Sequence, residues 1–247
     1  MIIISWNCNM AYRKKAEYVT IYQPNIIIVP ECEHPEKLNF KKGDLKPTDI
    51  FWEGKNKNKG LGVFSYSNYT FQIFEEYNPE IKSIIPLKIK NDDIEFILFA
   101  IWANNPDDYG NQYVGQIWKA IHYYEMLLNN PKVILIGDFN SNSIWDKNHN
   151  EGSHSEVVDF LEKKGIFSTY HIFHNQKQGK EEQPTLFIYR HRNKPYHIDY
   201  CFLTKDLYKN IHEVYVGDYR DWIELSDHMP LVVDIGTQND ATFLKAD

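Results

Sequence analysis

The sequence predicts an α/β protein, and three observations carry that prediction. Continuous aliphatic runs, Ile2-Ile3-Ile4, Ile26-Ile27-Ile28-Val29 and Val133-Ile134-Leu135-Ile136, have the length and β-branched content of strands buried on both faces. Gln112 to Asn129 and Ser153 to Lys164 instead space their apolar residues three or four apart, the period of an amphipathic helix. Polar residues of chemical interest then leave the C-terminal ends of the strands. A strand apolar on both faces needs a layer on each side, so a sheet must be covered by helices on one face and by helices or a second sheet on the other.

Composition bounds the rest. With 247 residues, of which 43% are hydrophobic, the chain can bury a sizeable core. No Pro, Gly or Ser-rich linker divides it, so one domain over 1–247 is expected, with residues 237–247 a loose tail. The many aromatic side chains serve packing before they serve any ligand. A formal charge of −7 argues against a scaffold that coats nucleic acid, but not against an enzyme whose metal neutralises phosphate locally. The N-terminus lacks a basic region and is too short for a signal or membrane segment. Three cysteines at no zinc-ligand spacing read as reduced core thiols. A cytoplasmic monomer is the expectation.

In order, Ile2 to Trp6 is a first strand that delivers Asn7. Arg13 to Tyr22 reads as a short helix stopped by Pro24. Asn25 to Val29 is a second buried strand, broken at Pro30 and presenting Glu31 and Glu33. Residues 34 to 59 are polar and lysine-rich, Lys41, Lys42, Lys46, Lys55, Lys57 and Lys59 lying among acids; they read as a solvated region around one short strand, Asp49 to Trp52, rather than a phosphate rim. Gly60 to Ser65, Tyr69 to Phe74, Ile84 to Ile89 and Glu95 to Ile101 form an antiparallel meander, ending at Trp102-Ala103-Asn104-Asn105. The helix Gln112 to Asn129 follows, with His122 off its apolar stripe. The strand Lys132 to Ile136 ends in Gly137-Asp138-Phe139-Asn140. In extended chain Asp138 and Asn140 would point the same way; taken alone, Gly-Asp-x-Asn is more often a turn. Ser153 and Glu156 form a capping box for the helix that Gly165 closes. Ile166 to His171, Thr185 to Tyr189, His197 to Leu203, Ile211 to Val216 and Met229 to Ile235 read as strands. Asp199 lies on one of them, and Asp227-His228 precede the last. His149, His154, His171, His174, His191 and His197 crowd residues 149 to 197 with no helical metal spacing, so most are incidental.

Asn7, Glu31, Asp138, Asn140, Asp199, Asp227 and His228 together offer carboxylates and amides without thiolates, a donor set suited to Mg²⁺ or Mn²⁺. The ordered motifs Trp6-Asn7, Pro24-x-Ile26-Ile27-x-x-x-Glu31, Gly137-Asp138-Phe139-Asn140, Ile198-Asp199-Tyr200 and Ser226-Asp227-His228 resemble the endonuclease/exonuclease/phosphatase superfamily, over residues 2 to about 235. The resemblance implies a four-layer αββα sandwich of two mixed sheets flanked by helices, with a site at one edge. It implies metal at Glu31, with Asn7 and Asp227 beside it. Asp138 and Asn140 would orient the nucleophilic water and the phosphate, and His228, paired with Asp199, would contact the scissile phosphoryl group.

One position departs from the pattern. Abasic-site enzymes carry Tyr-x-Pro-Asn where this chain has Trp102-Ala103-Asn104-Asn105, and an indole nitrogen can donate but offers no phenolic oxygen. Asn104 would then take part of that task. Trp102, Asn104, Trp145, Arg190 and His197 are the expected substrate contacts, Trp145 and Tyr196 being able to stack on bases. The expected function is Mg²⁺-dependent hydrolysis of DNA phosphodiesters. A phosphatase or phosphodiesterase on a small phosphorylated molecule, and a catalytically silent binding module, are the alternatives.

Overall fold

The structure, a computed structural model, describes all residues except 41, 42, 44, 82, 83, 105–112, 150 and 237–247. Asn105, Lys41, Lys42, the first residue of the helix expected from Gln112, and the expected loose tail therefore lie outside the described residues.

Two six-stranded mixed sheets pack face to face. The first runs β13 (Ile211–Val216), β14 (Leu231–Ile235), β1 (Ile2–Ser5), β2 (Ile26–Cys32), β4 (Lys59–Ser65), β3 (Asp49–Asn56). The second runs β5 (Thr70–Ile73), β6 (Ile84–Lys90), β7 (Glu95–Trp102), β8 (Val133–Asp138), β12 (Asp199–Thr204), β9 (Ile166–Ser168). In each, one pair at the centre is parallel, β1 with β2 and β7 with β8. A small hairpin, β10 (Leu186–Phe187) with β11 (Pro195–Tyr196), stands apart. This is the four-layer arrangement, and β8 shows why its sequence is apolar throughout. Ile134 and Ile136 point into the core between the sheets, where Ile27 and Ile85 also lie, while Val133 and Leu135 point into the core beneath the helices.

The outer layer of the second sheet is α2 (Val114–Tyr123) and α4 (His154–Lys163); on the first sheet's side α1 (Ala16–Thr20) is a single short turn, its Val19 buried. The capping box at Ser153 and Glu156 is present in full, and Gly165 follows with φ +73°.

Several local expectations change; the strand expected over Thr185 to Tyr189 is only β10, followed by a 3₁₀ turn, Ile188–Arg190. The helix expected to run to Asn129 breaks at Tyr124, and α3 (Glu125–Leu128) continues it, because the Tyr124 ring is buried and its hydroxyl accepts from Asn78 N–H. The strand expected to reach His171 stops at Ser168, and Thr169–His174 is helical (α5), seating Thr169 Oγ1 on Cys201 O. The expected helix over 13–22 is only a 3₁₀ turn, Tyr12–Lys14, followed by α1. Lastly, β2 does not break at Pro30. It runs on to Cys32 through a bulge at Glu31, whose φ is +62°. Among the described residues no helix is long and apolar enough to cross a membrane, and Cys8, Cys32 and Cys201 are all free and buried.

Candidate active site

The site lies where one edge of both sheets meets. Asp138 ends β8 and is in register with Asp199 on β12 and with Trp102 on β7, so three side chains of the second sheet converge. From the first sheet come Asn7, two residues beyond β1, and His228, which approaches β14. Trp6 Nε1 donates to His228 O (3.0 Å), Ser226 Oγ donates to Asn7 O (2.7 Å), and His228 N donates back to Ser226 Oγ (3.1 Å). The Ser226-Asp227-His228 turn is thereby tied to the end of β1.

His228 Nδ1 lies 2.9 Å from Asp199 Oδ2, and its Nε2 lies 4.0 Å from Asp138 Oδ2. Asp138 in turn accepts from Asn7 Nδ2 (3.0 Å), from Asn140 Nδ2 (3.1 Å) and from Asn140 N–H (3.0 Å). Asn140 is not extended as expected but left-handed (φ +46°), which folds its amide back over Asp138. Its Nδ2 also donates to Ala103 O at 2.7 Å. Both amide hydrogens are thus engaged within the protein, on Asp138 and on Ala103. Asp199 is held by its own N–H to Thr185 Oγ1 (3.0 Å), and its Oδ1 is buried without a partner among the described residues.

Asp138, Asp199 and His228 are all buried, so they govern one another's charge. Burial alone would suppress the imidazolium of His228, but the Asp199 and Asp138 carboxylates outweigh it and push its pKa up to about 10. Burial, then the neighbouring Asp199 charge, push Asp138 up to about 7 against the pull of His228 and Asn7. The arrangement is an imidazole between two carboxylates that favour its charged form, while burial and Asp199 favour the neutral form of Asp138.

The sequence profile of the Endonuclease/Exonuclease/phosphatase family matches residues 4–228. The chain belongs to this family. Solved structures agree on the fold. An AP endonuclease from Archaeoglobus fulgidus superposes with a TM-score of 0.68 at 17% identity, covering 96% of this chain and 100% of that one. A 3'-5' exonuclease, NExo, from Neisseria meningitidis gives 0.63 at 17% identity, with the same coverage. The endonuclease domain of TRAS1, a telomere-specific non-LTR retrotransposon, gives 0.63 at 18% identity, covering 96% and 99%. No curated protein sequence matches the chain significantly.

The family is divalent-metal dependent, and two groups of residues offer donors. Asp138, Asp199 and His228 place ligand atoms within 4.8 Å of one another. The neighbouring carboxylates favour the charged form of His228, which donates rather than ligates, while a neutral ring would leave Nε2 as a ligand atom. The other donors are the set the resemblance implies, Glu31, Asn7 and Asp227, whose side chains carry oxygens of the kind Mg²⁺ takes. Glu31 fits a cation: the bulge turns its carboxylate outward, and the Lys59 ammonium already sits 3.0 Å from Oε2. Asp227 Oδ1 accepts from Asn9 Nδ2 (2.8 Å). Glu33, the neighbouring acid, is 1% exposed and consumed by Tyr12 N–H, Arg13 N–H and the Arg13 guanidinium.

The expected substrate contacts divide. Trp102 is half-buried at the edge beside Asp138. Asn104 is partly exposed, its Nδ2 donating to Trp102 O (3.3 Å). Arg190 is exposed and left-handed on the hairpin, its Nη1 donating to Glu224 O. His197 is a correction. Its ring is 3% exposed, packed on Tyr170 and Tyr200, with Nδ1 on Gln183 O (2.7 Å), and burial pushes its pKa down to about 4. It is a neutral core histidine, and sequence alternation could not show this because both neighbouring layers close over it. Two residues that hold the site's acids escaped the sequence reading, Asn9 on Asp227 and Thr185 on Asp199, as did the pairing of Lys59 with Glu31. Thr185 follows Pro184 and opens an expected strand, which gives no sign of its bond to Asp199.

Trp145 lies in a 3₁₀ helix, Ser143–Asn148, with its ring 5.0 Å from that of Tyr196. Trp145→Ala is expected to raise KM for a nucleic-acid substrate roughly tenfold, the worth of a lost stacking contact, while unfolding shifts by less than ~1 kcal/mol. Steady-state kinetics beside a thermal melt check this; a lower Tm with unchanged KM would make Trp145 a packing residue only.

Proposed function

We propose that this chain is a Mg²⁺- or Mn²⁺-dependent phosphodiesterase acting on nucleic acid, DNA first. The observation that carries the reading is the buried Asp138–His228–Asp199 group at the sheet edge, opening beside a hairpin that joins the site directly. Leu186 bridges to His228, Phe187 N–H donates to Asp227 O, and the hairpin then presents Tyr189, Arg190, Arg192 and Lys194. Tyr189 is 77% exposed. Cations interleaved with aromatic faces suit a charged backbone carrying bases, which offsets locally the net acidity of the chain.

In this reading Glu31, Asn7 and Asp227 hold the metal, which supplies charge neutralisation at the phosphoryl oxygens. Asp138, ionised above about pH 7 and aimed by Asn7 and Asn140, takes a proton from the attacking water at its carboxylate oxygen. His228 donates from Nε2 to a phosphoryl oxygen, and Asp199 keeps it charged and oriented. The protein acts as a monomer in the cytoplasm.

A panel of abasic duplex, plain duplex, single strand and small phosphorylated molecules, each with Mg²⁺, tests the substrate. Cleavage confined to small molecules would replace DNA with the alternative that the net charge of −7 favours; binding with no cleavage of anything would make the chain a silent module. Glu31→Gln is expected to raise the Mg²⁺ concentration for half-maximal activity on the order of tenfold with the fold intact. An unchanged midpoint would move the metal off Glu31.

A further inference from the structure

We propose that Lys59 is a substrate phosphate contact, held at the mouth of the site by Glu31 and the Trp102 ring and released to the phosphate when Glu31 is neutralised. The inference rests on the reading above that the substrate carries a phosphate. Lys59 opens β4, beside the bulged end of β2, and its Nζ lies 3.0 Å from Glu31 Oε2. The same atom stands 5.3 Å from the centre of the Trp102 ring, across the gap on the second sheet. Trp102 is in register with Asp138, so the ammonium hovers over the edge where Asp138 works. Its neighbour Lys57 pairs instead with the exposed Glu36, away from this edge.

The Trp102 position is where a phenolic hydroxyl is missing, and an indole cannot replace that oxygen. What an indole adds is an electron-rich face that holds a cation. Lysine is a point charge on a flexible stem with three donors, so it can turn from carboxylate to phosphate without leaving the ring. The side chains of Lys59 and Glu31 are 39% and 20% exposed. An ion pair so open to water is weak, and a phosphate oxygen can compete for it.

The test uses chelator-treated full-length protein and a fluorescein-labelled single-stranded oligonucleotide, read by anisotropy, so that no catalysis intervenes. Lys59→Met is expected to weaken binding roughly tenfold, with Lys59→Arg restoring most of it. Glu31→Gln is expected to tighten binding roughly threefold by freeing the ammonium, a gain that vanishes in the Glu31→Gln/Lys59→Met double variant. Calorimetric titration of Mg²⁺ alone should show Lys59→Met binding the ion more tightly than wild type, because a competing cation is gone. If Glu31→Gln tightens binding equally without Lys59, the effect is general charge and the proposal is overturned. It is also overturned, with the phosphoesterase reading untouched, if Lys59→Met binds like wild type while wild type binds and cleaves a substrate of the panel. If wild type neither binds nor cleaves any phosphorylated compound, both readings fall.

Discussion

His228→Ala and Asp199→Asn are each expected to lower kcat/KM on the order of a thousandfold, and the double variant to be about as impaired as the worse single one. The 2.9 Å contact between Nδ1 and Oδ2 is buried on both sides. With Asp199 neutralised, burial, which opposes the imidazolium, is met by one fewer carboxylate, and the His228 pKa falls. Asp199→Asn should therefore regain activity as pH is lowered, whereas His228→Ala should not. Stability carries the same signature. A histidine whose pKa is raised in the fold from 6.5 to about 10 contributes stability fully below pH 6.5, and loses it as pH rises to about 10. Wild type should lose stability across that window, and His228→Ala should lack the slope. A double-mutant cycle in which the two losses simply multiply would uncouple the pair.

What the sequence made legible follows from how strongly each feature is over-determined. The β1, β2 and β8 runs are apolar because both faces are buried, and no other placement satisfies that composition. Asp138, Asp199 and His228 could be read because each is fixed to a strand end by motif order. Glu31 could be read as an acid delivered by the second strand, but its geometry was hidden. Pro30 and a positive φ at a non-glycine residue are breaking signals, and pairing with β4, Pro30 with Leu61 and Cys32 with Gly60, carries the strand through them. Segments 166–174 failed for a different reason. The aromatic and β-branched residues of Ile166 to His171 favour a strand locally, yet the helix from Thr169 lets Tyr170 and His171 pack on Tyr200 and His197. Lys59 was invisible because a lysine among lysines and acids carries no sign of its partner, and that partner lies on another strand.

Gly137→Ala is expected to destabilise the protein by roughly 3–5 kcal/mol, several-fold more than glycine-to-alanine changes at ordinary positions. Gly137 sits inside β8 at φ +149°, beside Ile101 of the parallel strand β7, and a β-carbon there would lie 1.9 Å from Ile101 O. That oxygen belongs to backbone fixed in the sheet, so relief requires β7 and β8 to separate at the point where Trp102 and Asp138 leave them. For a chain of this length the cost corresponds to a fall in Tm of roughly 6–20 °C. The folded fraction should also lose kcat, because the residue displaced next is Asp138, whose bonds to Asn7 and Asn140 depend on its position. Gly165 supplies the control. It has φ +73° but no atom within 4 Å of an added β-carbon, so Gly165→Ala carries only backbone strain, about 1 kcal/mol, and leaves kcat unchanged. Equal melting shifts for the two variants would show that the approach of β7 to β8 is not what demands glycine before Asp138.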